Sequence, residues 1–202
     1  MDWRLFGSVF VTLVVIMDPP GIVPIFLGLT HRRGAAQMRR LALQATSTAL
    51  GVIVGFALFG QAILDYLHVS LPALQASGGL LLLIVALELL MGKGSQISAS
   101  DDVNVALVPL GTPLIAGPGA IVAVMLFMQQ AETSIELFAV ALGVLAVHLV
   151  LYLAMRFSTI IAGVLGTSGI TVLTRISGML LAAIAVQLIG NAVFGFIEIS
   201  GL

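Results

Sequence analysis

The chain has no cysteine among its 202 residues. Disulfides, thiolate metal ligands and thiol nucleophiles are therefore excluded. Charge is almost as scarce, with 8% of residues Asp, Glu, Lys or Arg and a formal net charge of −1. Without a basic face to neutralise phosphates, nucleic acid is not a partner. No Gly-rich phosphate loop is present either, and the charged connections are too short for a soluble nucleotide domain.

What the chain does have is hydrocarbon: 60% hydrophobic residues and a mean hydropathy of +1.20. A soluble fold cannot hide that much apolar surface, so an integral membrane protein is expected. The apolar runs are continuous and of helix-spanning length, unlike the alternating strands of an outer-membrane barrel, so the fold class is all-α. The N-terminus shows no basic leader or small-residue cleavage site, and its apolar run is expected to stay as the first span.

Six spans are expected, at residues 4–29, 41–64, 71–91, 103–130, 136–156 and 175–198. Arg32, Arg33, Arg39, Arg40, Lys93, Arg156 and Arg175 then fall in cytoplasmic connections if both termini face out, and only Arg4 is misplaced. A rival layout folds both interrupted segments back as re-entrant hairpins, which puts Arg4 inside but moves Arg156 and Arg175 outside.

The first and fourth spans exceed the ~20 residues a straight crossing needs. Both contain a break, Met17-Asp18-Pro19-Pro20-Gly21 and Pro113-Leu114-Ile115-Ala116-Gly117-Pro118-Gly119. Pro20-Gly21 matches Pro118-Gly119, while Ser77-Gly78 and Leu80-Leu81 match Ser177-Gly178 and Leu180-Leu181 at a nearly equal offset. These matches predict one membrane domain, residues 1–202, made of two inverted three-helix repeats, 1–92 and 101–202.

Each break should cap one half-helix and start another. A residue before proline is pushed out of the right-handed helical region, so Asp18 should close the first piece and N-cap the second, with Pro19 at its first position. Pro24 leaves the carbonyl of Pro20 without its usual donor, and Pro113 does the same for Pro109. Gly117 and Pro118 repeat the cap-then-proline order. Lipid cannot satisfy such groups, so they must face protein, water or a ligand. Helix N-termini at Gly21 and Gly119 suit a carboxylate, and the free carbonyls suit an ammonium or a cation. Together they describe a site for a small zwitterionic amino acid; kinks relieved by neighbouring helices are the plainer alternative.

Asp18 is the one acidic residue deep in a span, where an ionised carboxylate costs about 2.5–3.5 kcal/mol on insertion scales. It is a pure cap or a proton carrier, and both roles are compatible. His148, mid-way along the fifth span, is a packing residue or a second proton relay. Gln187 and Asn191 share a helix face and either line a cavity or bridge helices. Gly51 and Gly55 make a small-xxx-small face for packing within the chain, with a homodimer contact as the other use. Histidines 31, 68 and 148 lack metal-site spacing, and one deep carboxylate is too few for aspartyl proteolysis. No metal, no cofactor beyond a proton or cation gradient, and no enzyme activity are expected.

Asp18-Pro19-Pro20-Gly21-Ile22-Val23-Pro24-Ile25-Phe26 and Pro113-Leu114-Ile115-Ala116-Gly117-Pro118-Gly119-Ala120-Ile121 resemble the two signature segments of the MarC family of six-span inner-membrane proteins. Span count and both motifs agree over essentially the whole chain. The resemblance implies kinship with the lysine-exporter superfamily. It also implies a function like that of an archaeal relative associated with proton-coupled transport of small neutral amino acids such as glycine and alanine. It further implies that Asp18, Pro20, Gly21, Pro24, Pro113, Gly117, Pro118 and Gly119 form the functional core. The expectation is a secondary transporter in a bacterial or archaeal cytoplasmic membrane. A passive pore or lipid-handling protein is the alternative.

Overall fold

The computed structural model describes residues 2–30, 33–91 and 115–200. Pro109, Pro113 and the first half of the expected fourth span lie outside them. The described residues form seven helices: α1 (Trp3–Met17), α2 (Pro19–Thr30), α3 (Ala35–Leu67), α4 (Leu71–Leu90), α5 (Pro118–Gln130), α6 (Ser134–Arg156) and α7 (Ser158–Ser200). Among the described residues five stretches are long and apolar enough to cross a bilayer: Trp3–Val23, Ala35–Leu67, Leu71–Leu90, Ser134–Arg156 and Ser168–Ile199. Gly119–Gln130 is a shorter apolar helix.

Local chemistry sets several ends. The Asp2 carboxylate accepts from the Arg4 and Leu5 amides at 2.9 and 3.0 Å and caps α1. Thr133 and Glu136 form a reciprocal capping box on α6, with the Thr133 amide donating to Glu136 at 3.0 Å. Two boundaries differ from expectation. α3 starts at Ala35, several residues before the apolar run, because Ala, Gln, Met and Arg are good helix formers. The expected connection before residue 175 is itself helical, and α7 is interrupted at Gly166, whose φ of 62° and ψ of 178° suit only glycine.

The exposed surface is apolar, including Val164 (83% exposed) and Phe194 (71%). Water would penalise that surface; hydrocarbon does not. Inside, glycine sets how closely the helices approach. A Cβ on Gly79 of α4 would sit 2.8 Å from the Ala185 carbonyl oxygen of α7, and one on Gly178 of α7 would sit 3.2 Å from the Ala86 carbonyl oxygen of α4. As residue numbers rise on α4 they fall on α7, so the two helices run antiparallel. On the other side Gly143 of α6 receives Val9 of α1, and Gly60 of α3 receives Met125 of α5. α2 packs on α7 and α6, and α5 packs on α4 and α3.

Gly51 and Gly55 do not serve the internal packing expected of them. A Cβ at either meets nothing within 4 Å among the described residues; Gly51 is exposed and Gly55 half-buried. The contrast gives a test: Gly79→Val should cost about 1–3 kcal/mol by overpacking against backbone, whereas Gly51→Val should leave stability nearly unchanged. Thermal unfolding of the two variants in detergent, followed by size-exclusion chromatography, checks the difference.

Candidate functional site

The first break consumes one residue. Asp18 has φ 44° and ψ 65°, the left-handed region; the following proline disfavours the right-handed one, and Asp is among the few residues that tolerate the left-handed one. Its amide still donates to the Val14 carbonyl at 3.0 Å, closing α1, and its carbonyl accepts from Ile22 at 3.1 Å, opening α2. The backbone therefore plays both roles expected of it. The side chain does not: neither carboxylate oxygen has a hydrogen-bond partner among the described residues, so it is not the side-chain N-cap expected from the motif.

The carboxylate instead folds over the first turn of α2. A Cβ placed on Gly21 would collide with its Oδ2 atom, so only glycine leaves room for it there. Among the described residues the polar groups facing it are the Gly21 backbone and the Ser177 hydroxyl of α7, and neither reaches hydrogen-bonding geometry. Asp18 is 8% exposed. It borders a cavity of about 50 Å³ shared with Met17, Gly21, Ile22, Val85, Leu89 and Leu181. By the ~10–15 Å³ that one water needs, this space holds a few waters or a solute of a few heavy atoms. Because Pro19 and Pro20 have no N–H, the carbonyls of Val15 and Ile16 lack the donors an unbroken helix would give them. The cavity wall thus has a partly positive helix start and a partly negative helix end within one turn of each other.

The second break has the expected cap. Gly117 is extended (φ −67°, ψ 164°), its carbonyl accepts from Ala120 and Ile121 at 3.0 and 3.1 Å, and Pro118 opens α5. Its ligand-facing role is not open in this conformation. The Leu82 side chain of α4 occupies the space over Gly119, where a Cβ would collide with it. Ile115 and Ala116 beside it are buried in the apolar core. The structure therefore brings Asp18 and Gly21 to a cavity and stoppers Gly119 with leucine.

The remaining sequence candidates lie elsewhere. Pro20, with Pro19, Val23, Val150 and Ala154, lines a separate apolar groove of about 230 Å³ that reaches Leu165 beside the Gly166 break. Pro24 lies within α2. His148 is buried on α6, its Nδ1 2.7 Å from the Val144 carbonyl and its Nε2 without a partner among the described residues. Gln187 donates to Asn191 at 2.8 Å on the exposed face of α7, opposite the face that meets α4. Pro113 falls outside the described residues. Sequence reasoning gave no role to Ser177, Leu82 or Leu181. The repeated Ser-Gly and Leu-Leu pairs that contain Ser177 and Leu181 were the available signal.

The description "MarC family integral membrane protein" matches residues 3–197. The chain is 36% identical to a UPF0056 membrane protein of Methanocaldococcus jannaschii, over 96% of this chain and 98% of the relative. It is 33% identical to a UPF0056 membrane protein of Aquifex aeolicus (92% and 90% covered) and 30% identical to the UPF0056 membrane protein YvbG of Bacillus subtilis (98% and 99% covered). No solved structure matches. With helices of membrane-crossing length and a full-length family match, this chain is a multi-pass integral membrane protein and belongs to the MarC family.

Proposed function

We propose that the protein is a secondary active transporter of small neutral amino acids of the size of glycine or alanine, coupled to protons and working by alternating access. The observation that carries this is the buried, unpartnered Asp18 carboxylate at a helix break, in a cavity sized for a few heavy atoms. A charge left there without a partner is costly, so a proton or a bound cationic group must visit it during the working cycle. The substrate carboxylate takes the helix start at Gly21 and, once Leu82 moves, the one at Gly119. Its ammonium faces the donor-free carbonyls. Asp18 holds the coupling proton, and His148 is the second group available to relay one. The Gln187 and Asn191 amides would join the site only if α7 turns its outer face inward.

Two inverted repeats, 1–92 and 101–202, are part of the proposal, and the packing supports them. Exchanging α1/α2, α3 and α4 for α5, α6 and α7 leaves the α4–α7 pair unchanged. The same exchange converts α1–α6 into α5–α3 and α2–α7 into α5–α4, all of which are packed pairs. It also relates α7, whose Leu181 borders the Gly21 cavity, to α4, whose Leu82 lies over Gly119. The proposed setting is a prokaryotic cytoplasmic membrane with both termini outside. A reporter fused to the C-terminus should therefore read periplasmic, and a cytoplasmic reading would overturn that layout.

The apolar groove beside Pro19 and Pro20 favours a second reading, a lipid-handling protein without coupled solute transport. Counterflow separates them. Liposomes holding the purified protein and unlabelled glycine or alanine should accumulate the labelled amino acid transiently and saturably; a lipid-handling protein gives no counterflow.

A further inference from the structure

The cavity wall shows one anionic group already seated where the proposed substrate would place another. The Asp18 carboxylate lies over the Gly21 end of α2, in space that exists because residue 21 has no side chain. It is more than nine-tenths buried, and no hydrogen bond from the described residues holds it there. Asp18 precedes Pro19 and has a left-handed backbone, so its side chain has a short, fixed tether to that helix start. We infer that Asp18 is an internal surrogate for the substrate carboxylate, and that the two compete for the helix start at Gly21.

The coupling follows from charge. An ionised Asp18 occupies the helix start and repels a second carboxylate. Taking up one proton on Asp18 removes the repulsion and weakens its attraction to the partial positive charge, so the zwitterion's carboxylate can replace it. No bond to carbon is made or broken, and the proton stays on Asp18 while the substrate is bound. Proton and amino acid therefore enter together, and release of the proton expels the substrate as the surrogate returns. Among the described residues lining the cavity from α1, α2, α4 and α7, Asp18 alone carries an ionisable side chain. Glu88 of α4 and Arg175 of α7, the charged neighbours along those helices, are exposed, and His148 of α6, the buried titratable group on a helix packed against α1 and α2, does not line the cavity.

This inference rests on the transporter reading and makes a separate demand of it. If Asp18 paired with the substrate's ammonium, removing the carboxylate would weaken binding; if it competes with the substrate's carboxylate, removing it strengthens binding. The test is equilibrium binding of radiolabelled glycine to the purified full-length protein, Asp18→Asn and Asp18→Ala at acid and alkaline pH. The wild type should bind more tightly as pH falls, by up to about tenfold per pH unit once Asp18 is ionised. Both variants should bind at alkaline pH at least as tightly as the wild type does in acid, with no pH dependence. Weaker binding by folded variants, or pH-independent binding by the wild type, would overturn the competition and leave the transporter standing. Absence of glycine and alanine binding in all three proteins at both pH values would contradict the transporter as well.

Discussion

Asp18→Asn is expected to keep a folded protein and to lose all dependence of transport on a pH gradient. The substitution preserves the shape and tolerance of the left-handed backbone at the break, because Asn also adopts that region. It removes the only ionisable side chain on the described cavity wall. A gradient of one pH unit should then drive about tenfold accumulation in the wild type, for one proton per substrate, and none in the variant. Exchange of labelled for unlabelled substrate should persist in the variant, since exchange needs no net proton movement. Uptake and exchange in the same proteoliposomes check both halves. Retained gradient-driven uptake would reduce Asp18 to a helix cap.

Gly21→Val is expected to abolish transport for a steric reason. Even the first added carbon collides with the Asp18 carboxylate, and the branched side chain would fill the approach to the start of α2. Strain of about 1–3 kcal/mol corresponds to about five- to 150-fold weaker binding. The protein should still reach the membrane, because Asp18 can turn into the adjoining cavity. Gly119→Val meets a different obstacle, the Leu82 side chain, which is 6% exposed and has little room to yield. That variant should lose stability, and Leu82→Ala should recover part of it. Thermal unfolding of the four proteins, beside glycine binding, distinguishes a blocked site from a damaged core.

The comparison of the two breaks shows what the residues alone make legible. Proline and glycine carry local rules, so the closing of α1 at Asp18, the start of α2 at Pro19 and the Gly117–Pro118 cap could all be read from them. The antiparallel seating of α4 on α7 was hinted at by the repeated Ser-Gly pairs. What the motif left hidden is tertiary. A following proline disfavours one backbone region for Asp18 but does not choose the left-handed one, and it does not aim a carboxylate at a helix start. Leu82 sits 37 residues from Gly119, and no local signal links a leucine to the glycine it covers. The open space beside Gly51 and Gly55 among the described residues was equally unreadable, because a small-xxx-small stripe records close approach without saying what approaches.

Asymmetry between the halves is the main consequence of the geometry. The first break offers a carboxylate and a cavity, whereas the second offers Ala116 and a leucine stopper. Inverted repeats that rock about one site need not share the chemistry equally. A single ionisable group on one side suffices to couple one proton to one substrate.

Uptake of radiolabelled glycine and alanine into proteoliposomes holding the purified protein, with and without an inwardly directed proton gradient, tests the central claim most directly. Saturable accumulation that follows the gradient, and that disappears in Asp18→Asn, is the expected result. Absence of saturable amino-acid flux under any gradient would contradict it.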